Sequence, residues 1–119
     1  MTNSNKSVKR INVGEHETCI FGIGLSYGIL SKLSEMQLEE PIIRSIEFCK
    51  NLSEKIVNSI QSCVEFELQT FVYAMEELYM FLLKKDMLYI NKKTGEEEDM
   101  SERIQFSLKE AIQHMSTVL

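Results

Sequence analysis

Few residues in this 119-residue chain carry the groups from which active sites are built. His16 and His114 are its two histidines. His16 stands three residues before Cys19, and a His-x-x-Cys pair on one helical face supplies two ligands of the kind zinc takes. The remaining ligands would have to come from far away, because the chain has no Cys-x-x-Cys and no second histidine motif. His16 is therefore expected as a surface residue of a first helical turn. His114, between Gln113 and Met115, is expected at the boundary of an apolar stripe. The three cysteines, Cys19, Cys49 and Cys63, are odd in number and each lies on or near an apolar run. They are expected as buried free thiols in a reducing cytosol.

Phe21-Gly-Ile-Gly-Leu-Ser-Tyr-Gly28 superficially suggests a dinucleotide loop. Its spacing is Gly-x-Gly-x-x-x-Gly, no βαβ unit surrounds it, and no following strand carries the acidic residue that would hold a ribose. Lys92-Lys-Thr-Gly95 lacks the leading glycine of a phosphate loop. Glu65, Glu67, Glu76 and Glu77 are candidates for paired carboxylates, but no histidine accompanies them. They read instead as a solvated face or as an electrostatic rim around a binding patch. Asn51-Leu-Ser53 matches a glycosylation sequon but falls inside a helical pattern. No cofactor, metal site or catalytic set is expected, and the chain reads as non-enzymatic.

These residues must be positioned by elements, and the dominant one runs from Pro41 to Ile90. Its apolar positions Ile42, Ile46, Cys49, Ile56, Ile60, Val64, Leu68, Phe71, Met75, Leu78 and Leu82, with Ser53 in the gap, recur every 3.64 residues on average (about 40 residues in eleven steps). That is the period of a straight α-helix rather than of a supercoiled heptad. Pro41 suits a first helical turn. A single helix over 41–85 would be on the order of 65 Å long, against a radius of gyration of about 13–14 Å for a compact domain of this size. Either the helix breaks, near 59–62, or it projects and is covered by another copy or another protein.

Residues 12–36 are ambiguous. Asn12 and Glu15 have capping-box spacing for a helix running to about Met36. Against that, Cys19, Phe21, Ile23, Leu25, Tyr27 and Ile29 alternate as in a strand, and interior glycines each cost a helix about 1 kcal/mol. Helix is the preferred reading, with Gly22, Gly24, Ser26 and Gly28 as a small-residue face for another helix. A short strand at 18–28 is the minor alternative. Gln37–Pro41 is a connection, Met87–Ile90 a short extended segment, Asn91–Gly95 a turn and Glu96–Asp99 an exposed acidic loop. Asp99 to Glu102 has cap-like spacing ahead of a last helix with the stripe Ile104, Leu108, Ala111, Met115, Val118. The expected fold is all-α: a three- to four-helix bundle with a long central helix, organised as a flexible tail over 1–11 and a single helical domain over 12–119.

Composition narrows the function. A net charge of −5 disfavours nucleic acid phosphates and anionic membrane as partners. The longest uncharged run, Thr18 to Ser31, is too short to span a bilayer. No leader is read in the N-terminal stretch, so a cytoplasmic protein is expected. The positive feature is Phe66, Tyr73 and Met80, spaced by seven opposite the main stripe and set among Glu65, Glu76 and Glu77, with no Lys or Arg between Lys55 and Lys84. These six residues form the expected protein interface, since aromatics and Met are enriched at interfaces. The leading expectation is a small interaction module that self-associates and binds a protein partner, as a regulator or inhibitor of a larger enzyme. The alternatives are a small-ligand-binding protein or enzyme with a pocket near 16–28 involving His16 and Tyr27, and a weak nucleic-acid accessory using Lys6, Lys9, Arg10, Lys92 and Lys93.

Overall fold

The computed structural model describes residues 8–83, 85 and 87–119. Among these residues the chain forms four α-helices, α1 (Glu17–Leu33), α2 (Glu40–Asn58), α3 (Glu65–Leu82) and α4 (Ser101–Ser116). Four short strands make two antiparallel ladders: β1 (Arg10–Ile11) with β2 (Cys63–Val64), and β3 (Leu88–Ile90) with β4 (Glu97–Asp99). The helices close into a ring, α1 against α2 and α4, and α3 against α2 and α4, with α1 and α4 the most extensively packed pair. The fully buried side chains Leu30, Leu33, Ile56, Leu68, Phe71, Met75, Leu78, Leu82 and Leu108 fill its centre.

The stretch 41–85 is not one helix. It ends its first run at Asn58, turns through a 3-10 segment at Ile60–Ser62, extends over Cys63–Val64 and restarts at Glu65. No glycine or proline makes this break. It is held by β1, whose Arg10 and Ile11 pair with Val64 and Cys63, and by the Ser59 hydroxyl, which donates 2.8 Å to the Lys55 carbonyl. The apolar period runs through the break because α2 and α3 fold back on the same core. Ile42, Ile46, Cys49 and Ile56 from one helix and Leu68, Phe71, Met75 and Leu78 from the other are all buried. At the open end of this pair Lys85 makes an ion pair with Glu39, just before α2.

The tail expected over 1–11 lies outside the described residues up to Ser7, and its last two residues are a strand. The segment 18–28 is helix, not strand. The expected cap at Asn12 is corrected: Asn12 precedes a 3-10 turn at Val13–Glu15 without capping it, its Oδ1 is buried with no hydrogen-bond partner, and α1 starts after His16. Gly22 explains why helix wins in α1. A Cβ there would stand 2.8 Å from Met115 Cγ and 2.9 Å from the Ala111 carbonyl oxygen. The glycine thus permits the close approach of α1 and α4 that offsets its poor helix propensity.

The acidic segment expected as a loop at 96–99 is strand β4 from Glu97 on. Gly95, at φ +74°, closes the turn, and its amide donates 2.7 Å to the Asn91 carbonyl. The hairpin is rooted by two buried methionines, with the Met100 amide donating 2.8 Å to the Met87 carbonyl. Asp99 then opens α4: its Oδ1 accepts from the Ser101 amide at 3.0 Å and the Ser101 hydroxyl at 2.6 Å. Those two donors hold the Asp99 carboxyl below its ordinary range.

Candidate functional site

α3 buries Leu68, Phe71, Val72, Met75, Leu78 and Leu82 toward the bundle. At 100° per residue the opposite side of the helix falls on Phe66, Tyr73 and Met80. They are 72%, 60% and 64% exposed, so neither the first nor the last helix covers them. Gln69 Nε2 donates 3.2 Å to the Tyr73 hydroxyl, and the Thr70 hydroxyl donates 2.8 Å to the Phe66 carbonyl. Glu76 and Glu77 are exposed beside the seam, while Glu65 and Glu67 are half-buried. Toward α2 the surface continues into a shallow groove of 250 Å³ between Phe48 and Phe81, with Pro41, Arg44, Ser45, Ala74 and Glu77 in its walls.

The pocket expected near 16–28 is distributed over three places. His16 lines a polar hollow of 720 Å³ at the start of α1, with Asn12, Glu15, Glu17 and Thr117. Tyr27 faces α2, in a recess with Ser53, Glu54 and Val57. Gly24 and Gly28 lie elsewhere, on the floor of a cleft of 450 Å³ between α1 and α4. This cleft is lined by Phe21, Leu25, Ile29, Met100 and Ile104, with Lys32, Arg103 and Ser107 at its edge. The small-residue face of α1 therefore divides. Gly22 and the buried Ser26 meet α4, whereas a Cβ on Gly24 or Gly28 meets no atom within 4 Å.

Phe21 lines one end of the cleft, and its ring lies 5.2 Å from that of the half-buried His114, tilted by 36°. At the other end it meets a second hollow of 370 Å³ lined by Lys32, Lys92, Lys93, Arg103, Tyr89, Asn91 and Glu98. Lys32 Nζ lies 4.0 Å from the centre of the Tyr89 ring, and Arg103 pairs with Glu98 at 3.3 Å. The alternation of strands puts Tyr89 and its partner Glu98 on this side of the hairpin and the pairs Leu88–Asp99 and Ile90–Glu97 on the other. Sequence reasoning missed Lys32, Arg103 and Tyr89, because only the pairing of α1 with α4 and the hairpin brings them together.

Cys19, Cys49 and Cys63 are all buried and unpaired. Burial pushes the Cys19 thiol up to about 11, with Cys63 adding to the effect, and the Cys49 thiol up to about 12, with Glu77 adding. Burial raises Cys63 as well, and Glu67 raises it further. Such thiols are poor nucleophiles. Among the described residues no group of three or more His, Cys, Asp or Glu side chains is placed to hold a metal ion, and no helix is long and apolar enough to cross a membrane. The basic residues proposed for nucleic acid do not gather: Arg10 lies near the start of α1 and Lys92 and Lys93 beyond its end, separated by roughly the 25 Å length of that helix. Lys6 lies outside the described residues. No protein-family model, curated protein or solved structure matches this chain.

Proposed function

We propose that this chain is a non-enzymatic protein-interaction module whose α3 face receives a partner bearing an apolar seam rimmed by basic side chains. One observation carries the reading. Phe66, Tyr73 and Met80, each more than half exposed, repeat every seven residues on the side of α3 away from the core. Around them the helix offers Glu65, Glu76 and Glu77 and no cation. Apolar contact supplies affinity at such a surface, and the carboxylates select the sign of the partner. The role is that of a cytoplasmic regulator or inhibitor, acting by occupying a surface of a larger enzyme.

Self-association through the same seam is the second reading. A seven-residue seam is complementary to a second copy of itself, but two α3 faces would bring carboxylates together. The two readings respond oppositely to salt, since screening weakens attraction between unlike charges and relieves repulsion between like ones. The test uses an amphipathic helical peptide with leucines every seventh residue, flanked by lysines in one version and by glutamates in another. The lysine version is expected to bind at least tenfold more tightly at low salt, and the preference is expected to vanish in the Phe66→Ser, Tyr73→Ser, Met80→Ser variant. Equal binding of the two peptides would remove the basic-partner reading. Sedimentation of the protein alone reads the other: a dimer that strengthens with salt and disappears in the same variant supports self-association, and a monomer at every salt and protein concentration ends it.

A further inference from the structure

The α3 face leaves the cleft between α1 and α4 unused, and that cleft has two chemically distinct ends. Its floor is apolar, made by Phe21, Leu25, Ile29, Met100 and Ile104 around two positions with no side chain, Gly24 and Gly28. Its mouth is cationic: Lys32 and Arg103 belong both to the cleft and to the adjoining hollow, where Lys92 and Lys93 join them. Among the described residues lining the hollow, four cations, Lys32, Lys92, Lys93 and Arg103, face one carboxylate, Glu98, in a chain whose total charge is −5, while Glu97 and Asp99 lie on the other side of the hairpin. Among the described residues Lys32, Lys92 and Lys93 make no ion pair, and the Arg103–Glu98 pair is largely exposed. Exposed pairs of that kind contribute little and exchange readily for a better anion.

We infer that the α1–α4 cleft binds a free amphipathic carboxylate, its acyl chain lying along Gly24 and Gly28 and its head between Lys32 and Arg103. Size agrees with this. The 450 Å³ cleft lies within the range of small-molecule sites. The cleft is open on one side, with Gly24 and Gly28 exposed, so a chain of about twelve carbons lies along it with one side to solvent, its volume at ~30 Å³ per methylene being of the cleft's order. A planar guanidinium donates two parallel hydrogen bonds to a carboxylate, and Lys32 adds a second positive charge. The glycines leave the room: they line the cleft without projecting into it, and nothing on α4 fills the space above them.

The test compares dodecanoate, dodecanol and dodecyltrimethylammonium by calorimetry with the full chain, the two ionic probes below their micelle concentrations and dodecanol below its solubility limit. Dodecanoate is expected to bind at least tenfold more tightly than dodecanol, and the ammonium compound more weakly than either. Lys32→Gln and Arg103→Gln should each weaken dodecanoate several-fold without changing dodecanol. The Gly24→Leu, Gly28→Leu variant fills the cleft in helix-favouring fashion, so it should fold with an undiminished Tm and lose dodecanoate binding. The Phe66→Ser, Tyr73→Ser, Met80→Ser variant should retain it, which separates this site from the α3 face. Dodecanoate binding no tighter than dodecanol, or binding that survives the leucine pair, overturns the inference. So does failure of all three probes to bind. Capture of the protein by anionic vesicles that free dodecanoate does not displace overturns it too, by assigning the cationic mouth to a membrane surface.

Discussion

At Gly22 a Cβ would press on Met115 Cγ, the Ala111 carbonyl and His114 Cβ, all within 3 Å. Two residues later, at Gly24, it would meet nothing. The same methyl group therefore has opposite consequences. Gly22→Ala forces α1 and α4 apart in a packed interface and is expected to cost about 1–3 kcal/mol. Gly24→Ala removes backbone freedom from the unfolded chain and improves helix propensity, and is expected to stabilise by up to about 1 kcal/mol. Denaturant titration of the two variants checks both signs, and two equal values would contradict the packing of α1 on α4. In sequence the two glycines look alike. Which of them touches a neighbour depends on how α1 is rotated, and that depends on α4.

Among the elements, β1 does work that helices usually leave to a capping side chain. α3 has no side-chain cap at its N-terminus. Instead the Glu65 amide donates 2.9 Å to the Lys9 carbonyl, the Arg10 guanidinium donates 3.0 Å to the Ser62 carbonyl, and the two-residue ladder fixes Cys63 and Val64. A helix start leaves unsatisfied amides that need such partners. A chain beginning at Asn12 is expected to lose about 1–2 kcal/mol, the scale of one cap and its hydrogen bonds. Hydrogen exchange should then quicken at Glu65 and Val64 more than in α4. Unchanged protection at Glu65 would show that the break between α2 and α3 holds without β1. The periods of α2 and of α4, and the turn at 91–95, were legible because each is a local pattern. The break at 59–62 was legible only as an alternative, because its cause is a strand some fifty residues upstream in the chain.

For the molecule as a whole, the three thiols report on a single core. Cys19 comes from α1, Cys49 from α2 and Cys63 from β2, and all are fully buried. Each folded-state thiol is raised above its ordinary value of 9.0, to about 11 for Cys19 and about 12 for Cys49. The unfolded chain therefore loses these protons first, so the thiols' contribution to stability is complete below pH 9 and falls as pH rises from 9 toward 11–12. Guanidinium midpoints at pH 8 and pH 10.5 should differ in that direction, and the difference should shrink in Cys49→Ala. At pH 8, thiol labelling and far-UV circular dichroism should give the same midpoint, as expected of one cooperative domain. Labelling of any thiol well before the helices melt would contradict a single core.

The sequence by itself determined that the chain is mainly helical, which faces of α2 and α4 turn inward, and that Phe66, Tyr73 and Met80 share a face of α3 with glutamates and no cation. Those properties follow from side-chain spacing within one helix, where 3.6 residues per turn fixes who stands beside whom. Only the tertiary structure decided that this face is left open, that 18–28 is helix and that 41–85 is two helices. It alone set Lys32 beside Arg103 at the mouth of an apolar cleft. Each of those outcomes is a contact between segments distant in the chain, and such contacts are chosen by the shape and burial of the whole core rather than by any local period.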